Sequence, residues 1–520
     1  MTRPKHLYSL SRRSLLAGGA AMGALAVSGG WSRALAAPLL TVESLTLDVN
    51  GKAAKVFAVK GPTGEGIFAK EGNRLAGAVL NASRAPAVMH WHGQIFAPAD
   101  QDRARPDGGE LVPGGTDQVD FLLTPGTHWM HSHTLSEQQL LAAPLVTREA
   151  DAGDAQDVVV MLHDFSFRSP EEILASLGGA DAHGGHGAHG ASQPTQGMAG
   201  MAMPGMDHAG HGMGAMGGMG GGMMGPAPVG ADAGHMGHGM GGGMGAGMGG
   251  GMMAHANDVD YDAFLANRRT LADPEVVKVE KGGRVRLRII NGGTATAFFV
   301  SVPGLTPLCV AVDGSPCVPM EAEAFPLAQG QRIDLLVDIP ASGGAFPVLA
   351  QVEASPRRTG LILATAGAPV ARIAETADRP QGLLDLAFEG RLSAGRPLAQ
   401  RKADKVFPIM LGEEAGYRWT INGRTYGEGR PFAVSPGERV EMAFMNPTTM
   451  SHPMHLHGHH FQVVGIGGRR FSGAVRDTVM VPPRMPVTIA FDAGPKGEWF
   501  LHCHHLYHMA TGMMAVVKVA

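Results

Sequence analysis

The chain has 520 residues, too many for one hydrophobic core, so its length indicates two to four domains. Its formal net charge of −4 gives no basic footprint, which excludes the electrostatics typical of a nucleic-acid-binding protein. Aromatic residues make up only 6% of the chain, whereas 76 glycines and 35 prolines supply many turn signals, which favours short strands over long helices.

Residues 1–36 have the pattern of an export signal. Arg12 and Arg13 precede a short run of small apolar residues over 17–27, and the small residues at 34–36 fit a cleavage site. The paired arginines favour the twin-arginine export machinery, with an ordinary secretory signal as the alternative. The run is too short and too weakly hydrophobic to span a membrane, and no other stretch is suited to do so. We therefore predict a soluble chain that acts outside the cytoplasm.

Two segments of the first predicted domain, 38–150, carry pairs of histidines. Each pair, His90 with His92 and His131 with His133, lies in an apolar segment that we predict to be a strand. Side chains two residues apart point to the same face of a strand, so each pair can offer two imidazoles to one metal cluster. A chance pair is the alternative for either motif taken alone.

The second predicted domain, 151–368, is interrupted by an insertion at 180–256. This insertion is almost entirely Gly, Met and His, and it holds 15 of the 31 methionines and 8 of the 24 histidines. Its scarcity of bulky apolar residues predicts disorder without metal. Thioethers select Cu(I), and histidine adds affinity for Cu(II), so we interpret it as a metal-gathering segment that binds extra copper, with a flexible linker as the alternative. His163, just before the insertion, is expected to be structural.

The second domain also contains two of the three cysteines. Cys309 and Cys317 flank a turn signal, Asp313 and Gly314, so they can face each other across a hairpin. In an oxidising compartment they can form a disulfide, and two buried free thiols are the equal alternative.

Residues 369–404 are predicted to be a linker, and the third domain is predicted at 405–520. In the third domain His452, His455 and His457 lie in one segment, and the last two again form a pair two residues apart. Many short apolar runs with turn signals, and few helical periods, predict an all-β fold. These signals alone narrow the domains only to sandwiches or barrels.

The last motif is a predicted strand followed by a loop. Because side chains alternate along a strand, Cys503 points to one face and its neighbours His502 and His504 point to the other. His508 and Met513 follow in the loop. A cysteine thiolate, histidines and a weakly held methionine are the ligands of a blue-copper site, so this strand is predicted to serve two metal sites at once.

The His-Cys-His-x3-His-x4-Met pattern at 502–513 resembles the C-terminal signature of multicopper oxidases. The three further histidine motifs that this family requires are present in the expected order. The resemblance implies three cupredoxin-like Greek-key β-barrel domains and four copper ions, namely one type 1, one type 2 and two type 3. It also implies an enzyme that removes four single electrons from its substrate and reduces dioxygen to two waters.

The resemblance further implies the copper ligands, residue by residue. They are His452, Cys503, His508 and the axial Met513 for type 1 copper; His90 and His455 for type 2 copper; and His92, His131, His133, His457, His502 and His504 for the type 3 pair. Half of the eight cluster histidines come from the first domain and half from the third, so the cluster is expected between these domains. Electrons are expected to pass from Cys503 through the backbone to His502 and His504, which gives these three residues a catalytic role.

Two acidic residues resemble family residues near the copper sites. Asp107, in a Pro-Asp-Gly-Gly sequence, is expected to help supply protons to the cluster, with a simple Asp-Gly turn as the alternative. Asp477 resembles an acid near the type 1 site or the cluster. Met509 stands where some cuprous oxidases of the family have a glutamate, which puts the usual proton route in doubt. Surface or packing roles are expected for His128, His459, His460 and His505.

The substrate follows less directly from the resemblance. The export signal, the insertion and the His-Leu-Tyr-His-Met sequence at 505–509 are similar to periplasmic copper-resistance oxidases, which implies oxidation of Cu(I) in a bacterial periplasm. A laccase-type oxidase of phenols or amines is one alternative, with the insertion as an aid to copper loading. A copper-sequestering protein is another, although a protein that only stores copper needs no cluster.

Overall fold

The computed structural model describes residues 39–178 and 256–520, and strands dominate within these ranges. The predicted signal at 1–36 lies outside the described residues, as does the insertion at 180–256 apart from its last residue. Within the described part of the chain, no helix is long and apolar enough to cross a membrane. The all-β prediction is confirmed.

The first domain consists of two sheets that enclose one core. Its strands are β1 (Leu40–Val49), β2 (Lys52–Gly61), β3 (Gly64–Glu65), β4 (Ile67–Lys70), β5 (Arg74–Asn81), β6 (Met89–His92), β7 (Thr116–Leu122), β8 (Gly126–Ser132) and β9 (Ala142–Arg148). One sheet has the order β3-β2-β1-β5-β7 and the other has the order β4-β9-β8-β6. Apolar side chains of both sheets, such as Phe121 on β7 and Met130 on β8, meet in the core.

The second domain is again built from two sheets. Its elements are β10 (Gln156–Phe165), α1 (Pro170–Gly178), β11 (Ala263–Ala266), β12 (Val276–Val279), β13 (Arg284–Asn291), β14 (Phe298–Ser301), β15 (Leu308–Val312), β16 (Ser315–Glu321), β17 (Phe325–Leu327), β18 (Arg332–Asp338), β19 (Ala345–Val352) and β20 (Arg358–Thr365). The sheets have the orders β11-β10-β13-β18-β15-β16 and β12-β20-β19-β14-β17. The insertion separates α1 from β11, and β11 pairs with β10.

The third domain has the same two-sheet construction. Its elements are β21 (Lys405–Glu414), β22 (Arg418–Ile421), β23 (Phe432–Val434), β24 (Arg439–Met445), β25 (His452–Leu456), β26 (Phe461–Ile466), β27 (Arg469–Arg470), β28 (Val475–Arg476), β29 (Thr478–Val481), β30 (Val487–Asp492), β31 (Gly497–Cys503), α2 (Leu506–Ala510) and β32 (Met514–Val519). One sheet has the order β22-β21-β24-β30-β26-β27, with β28 beside β26, and the other has the order β23-β32-β31-β25-β29.

The three domains repeat one topology. In the first sheet of each domain, an antiparallel pair is followed by a parallel pair: β2-β1-β5, β11-β10-β13 and β22-β21-β24. In the second sheet, a parallel pair is followed by antiparallel pairs: β4-β9-β8-β6, β12-β20-β19-β14 and β23-β32-β31-β25. Strands β6 and β8 of the first domain therefore correspond to β25 and β31 of the third.

The segment 369–404 contains no strand in the structure, and its buried residues all lie within 384–394. Leu384 and Leu386 are buried in the core of the third domain, whereas Phe388 and Leu392 are buried in the core of the second. A short 3-10 turn at Glu389–Arg391 joins Phe388 to Leu392. The segment therefore ties two domains together through apolar burial.

The hairpin predicted around Asp313 and Gly314 is present as β15 and β16. Both turn residues have positive φ, 48° and 76°, which is the backbone that a tight hairpin turn of this kind requires. The thiols of Cys309 and Cys317 are buried, with their Sγ atoms 3.7 Å apart, and they are not bonded to each other. Of the two alternatives for this pair, the structure has the free thiols.

A buried arginine joins all three domains. Arg332 is fully buried, and it donates to the Thr127 carbonyl of the first domain and to both carboxylate oxygens of Asp477 in the third domain, at 2.6 and 2.5 Å. Its own backbone N–H donates to Asp313 at 2.8 Å. Burial alone would raise the pKa of Asp477, but the Arg332 guanidinium outweighs this effect and lowers it. The carboxylate therefore stays charged in the protein interior.

A second buried arginine joins the first two domains. Arg288, on β13, donates to Asp157 at 2.8 Å, to Glu149 at 2.7 Å and to Asp334 at 3.1 Å. Arg286 also pairs with Glu149 and Asp334, and Arg148 also pairs with Asp157. Removing Arg288 therefore leaves these carboxylates with one cation fewer in a region of low dielectric. Arg284, which lies on the same strand as Arg288, instead forms a solvent-exposed pair with Asp338.

We expect Arg288→Met to lower the free energy of unfolding by about 3–5 kcal/mol, because three carboxylates each lose one of their cations, and the cation lost is the fully buried one. The matched control is Arg284→Met, which removes an exposed pair and should cost at most about 1 kcal/mol. Denaturant unfolding of the copper-free protein, followed by tryptophan fluorescence, measures both. Equal losses in the two variants would contradict the role assigned to Arg288.

Candidate metal centre

Eight histidines lie on two equivalent pairs of strands. In the first domain β6 carries His90 and pairs with β8 so that His90 lies opposite His131. In the third domain β25 carries His455 and pairs with β31 so that His455 lies opposite His502. Two cluster histidines thus lie on, or directly after the end of, each of the four strands. The remaining members of this histidine cluster are His92, His133, His457 and His504, and all eight are buried.

The two strand pairs face each other, so their ring nitrogens converge across the domain boundary. Nε2 of His90 lies 3.3 Å from Nε2 of His455. Nε2 of His502 lies 3.2 Å from Nε2 of His133 and 3.0 Å from Nε2 of His457. The expectation that the first and third domains meet at a shared cluster agrees with these contacts.

The other three histidines of the cluster have ring nitrogens without a hydrogen-bond partner among the described residues. These atoms are Nδ1 of His92, Nε2 of His131 and Nε2 of His504. The ring centroids lie 5.1 Å apart for His131 and His504, and 5.2 Å apart for His92 and His504. A buried polar atom without a partner is costly, so these ring nitrogens fit a site that binds a cation. Donors of other combinations, such as His90, His455 and His457, also lie within 4.8 Å of one another, so the eight histidines form one continuous cluster.

A second donor group, the cysteine site, lies on the opposite face of β31. The Cys503 thiol is 3.7 Å from Nδ1 of His452 and 3.7 Å from Nδ1 of His508, and these two nitrogens are 3.2 Å apart. All three side chains are fully buried. Met513 is buried in the same core, and its carbonyl accepts from the Cys503 N–H at 3.0 Å. Cys503 and its two neighbouring histidines thus point to opposite faces, as the alternation along the strand predicts.

One detail of the predicted motif is wrong. The residues after β31 were expected to form a loop, but His508 lies on the short helix α2. Five residues are too few to show a helical period in the sequence. The helix turns the chain back so that His508 faces the thiol five residues before it.

These donors suit a metal ion. Donors that each lie about 2.0–2.3 Å from one metal ion are themselves about 3–4 Å apart, which is the spacing found in both groups. Burial is the main cause that lowers the pKa of His92, His452 and His457 well below the usual value, so these rings are neutral and keep a lone pair. Burial also raises the pKa of the Cys503 thiol, so a cation is needed to hold it as a thiolate.

The carboxylate that lies beside the cluster is not the one predicted from the sequence. The side chain of Asp107 is 87% exposed and pairs with Arg105 on the surface, so the prediction that it lies at the cluster is wrong. Asp102, which is buried, accepts instead from Nδ1 of His90 at 2.7 Å. The Pro-Asp-Gly-Gly sequence forms only a turn, whereas the 3-10 turn at Ala99–Gln101 returns Asp102 towards β6.

Two further carboxylates orient histidines of the cluster. Asp477 lies 3.1 Å from Nε2 of His92, which places it at the cluster rather than at the cysteine site. Glu137, which no sequence motif marks, is buried and lies 3.1 Å from Nδ1 of His131. In each case the carboxylate holds one ring nitrogen and leaves the other for a metal, as outer carboxylates of metal sites commonly do.

A fourth carboxylate, Asp258, approaches the cysteine site from the second domain. Asp258 lies 3.6 Å from Nε2 of His508 and 3.0 Å from Nε2 of His505, and the Tyr417 hydroxyl also donates to it. Burial alone would raise the pKa of Asp258, but His505 and His508 lower it well below its usual value. Nothing in the local sequence marks Asp258, which lies two residues beyond the insertion.

Among the described residues, the histidines outside the ligand pattern are buried or half-buried, so of the two expected roles the packing role applies to them. Nε2 of His128 contacts the Pro125 carbonyl, and burial lowers the pKa of His128 to about 3. Nδ1 of His163 contacts the Gly292 carbonyl at 3.1 Å, in agreement with a structural role. His459 and His460 contact the carbonyls of His457 and Gly93.

Three family models, each described as multicopper oxidase, match residues 41–150, 245–367 and 400–520, which is more than half of the chain. The chain belongs to the multicopper oxidase family. It is therefore an oxidoreductase with three cupredoxin-like domains, and copper is the metal that its histidine clusters fit. The resemblance in the C-terminal motif is confirmed.

Similarity to individual members of the multicopper oxidase family extends over most of the chain. The chain is 29% identical to multicopper oxidase MmcO of Mycobacterium tuberculosis, over 91% of this chain and 85% of that protein. It is 24% identical to copper resistance protein A of Escherichia coli, over 99% of this chain and 100% of that protein. The laccase structure from Botrytis aclada superposes with a TM-score of 0.67 at 20% identity, covering 92% and 87% of the two chains, and supports the fold alone.

In this multicopper oxidase, Asp102→Asn should weaken copper binding at the histidine cluster by about 10–100-fold, because His90 loses the carboxylate that fixes its tautomer. The control is Asp107→Asn, which should leave copper content unchanged because that side chain is exposed. Copper per chain after dialysis against a graded chelator measures both variants. A stronger effect of the Asp107 variant would restore the role first expected of that residue.

Proposed function

We propose that this multicopper oxidase uses its two donor groups as one type 1 site and one trinuclear cluster. The type 1 ligands are His452, Cys503, His508 and the axial Met513; the type 2 ligands are His90 and His455; and the type 3 ligands are His92, His131, His133, His457, His502 and His504. The observation that carries the proposal is the complete and mutually close donor set, with the spacing of a blue-copper site on one face of β31 and eight histidines on the other.

We assign the type 3 ligands to two copper positions. His133, His457 and His502 bring their Nε2 atoms together, so they form one copper position. His92, His131 and His504, with their unpartnered nitrogens, form the other. Copper held by these residues would supply the one-electron chemistry by which dioxygen is reduced to water.

The backbone of β31 links the two sites. Cys503 is joined by peptide bonds to His502 and His504, so three consecutive residues give a covalent path from the type 1 site to both type 3 positions. The strand is buried on both faces, which fixes the three side chains relative to each other. These residues therefore carry electrons within the chain, while Asp102, Glu137 and the other carboxylates hold ligand rings in place.

We further propose that the substrate is Cu(I) in a bacterial periplasm. Asp258 offers a partly exposed carboxylate at the outer nitrogen of His508, so a cation docked there lies one imidazole from the type 1 site. The Met- and His-rich insertion ends two residues before Asp258 in the sequence, and its soft ligands suit Cu(I). The name of the relative copper resistance protein A supports the same function. Export by the twin-arginine machinery, signalled by residues 1–36, would place the folded enzyme in that compartment.

Oxidation of phenols or amines is the second candidate. A phenol hydroxyl or an amine N–H can donate to Asp258 as the Tyr417 hydroxyl does, and several relatives bear the name laccase. In that case the insertion serves copper loading. A copper-sequestering role without turnover is the third reading, and the complete ligand set argues against it.

Oxygen uptake by the copper-loaded protein, offered Cu(I) and a simple phenol in parallel, should be fast with Cu(I) and slow with phenol. Cys503→Ser should abolish uptake with both substrates, because it removes the type 1 thiolate and the path that starts there. Fast uptake with phenol alone would make the enzyme a laccase. The absence of uptake with either substrate, at full copper content, would leave only sequestration.

Replacing residues 180–256 with a short Gly-Ser linker should lower kcat/KM for Cu(I) and leave phenol turnover unchanged or higher, because soft ligands no longer concentrate Cu(I) near Asp258. A Gly-Ser segment of the original length is the matched control for chain connectivity, and it should behave like the short linker. Cu(I) kinetics that stay the same in both variants would refute the role of the insertion.

A further inference from the structure

His505 is a buried histidine that lies directly before α2 and belongs to neither donor group. Its ring stacks on the ring of His508, with the centroids 3.8 Å apart and the planes at 11°. Trp419, on β22, stacks on the same imidazole with a centroid distance of 3.9 Å and an angle of 29°. Two rings at these distances cannot share one face, so His508 is sandwiched between His505 and Trp419.

The outer ring of this sandwich is itself held in place. Nε2 of His505 is bonded to one oxygen of Asp258 at 3.0 Å, and the other oxygen of Asp258 faces Nε2 of His508 at 3.6 Å. The Tyr417 hydroxyl fixes the same carboxylate, and the Tyr417 ring lies edge-on to Trp419 with the centroids 5.7 Å apart. Both stacking partners are therefore anchored by groups that bind no metal.

The sandwich restricts the motion that would disrupt the donor group. Nδ1 of His508 points at the Cys503 thiol and at His452, and rotation of the ring about its χ2 bond would carry this atom away. Flat partners on both faces block that rotation, whereas an aliphatic neighbour leaves the ring free to tilt. Since χ2 of histidine has a broad torsional minimum, the orientation must come from such packing.

We infer that His505 is a positioning residue of the type 1 site: its ring, with that of Trp419, locks the imidazole of His508 so that Nδ1 stays aimed at the metal position in both copper oxidation states. This inference rests on the proposed assignment of His508 as a type 1 ligand. It gives a role to a histidine for which the ligand pattern of the sequence provides none.

The test compares His505→Phe with His505→Leu in the full-length copper-loaded protein. Both variants lose the bond to Asp258, but only phenylalanine keeps a flat ring against His508. The readouts are the thiolate-to-Cu(II) absorption band and the half-time of copper loss from that site to a chelator. We expect the phenylalanine variant to stay near the wild type, and the leucine variant to lose copper about 10–100-fold faster with a weakened band.

His163→Gln is the control for the loss of a buried histidine far from the copper ligands, and it should change neither readout. The thermal unfolding midpoint of the copper-free variants separates a folding defect from a copper defect. Equal half-times for the phenylalanine and leucine variants would overturn the inference. A wild-type protein without any thiolate-to-Cu(II) band would instead defeat the proposed type 1 site itself.

Discussion

The alternation of side chains along β31 is the constraint on which the rest of the site depends. A strand can present three consecutive residues to only two faces, so Cys503 must face one way while His502 and His504 face the other. Both faces must then be covered by further donors, because all three side chains are buried. Strand β25 and helix α2 cover the face of the thiol, and the first domain covers the face of the histidines.

The eight cluster histidines come from two copies of one structural unit. Strands β6 and β8 hold the same positions in the first domain as β25 and β31 hold in the third, and the registers correspond: Met89 lies opposite Ser132, and Met454 lies opposite Cys503. Ser132 thus occupies the position of the cysteine. The equivalent strands of the second domain, β14 and β19, carry no histidine. The same topology therefore carries half of the histidine cluster in the first domain and no cluster histidine on the equivalent strands of the second. In the third domain it carries the other half together with the cysteine site.

The histidines and the cysteine that lie together could be predicted from the sequence because their pattern is local. The carboxylates that contact them could not, because those contacts are not local. The two-residue spacing of His90 and His92 follows from strand geometry alone. The carboxylate on His90 depends on how the chain folds back after β6, so the Asp-Gly turn signal at Asp107 misled the prediction and Asp102 was missed. Asp258 reaches His508 from another domain, across an insertion, and no spacing rule connects them.

The division of the cluster between the first and third domains also has a consequence for biosynthesis. Residues 90–133 emerge from the ribosome long before 452–504, so the early strand pair holds four histidines whose partners do not yet exist. Tight cluster sites, which need donors from both domains, arise only when β25 and β31 dock against the completed first domain. An unfinished chain therefore lacks the full donor set, so the cluster can be filled only after the third domain is complete.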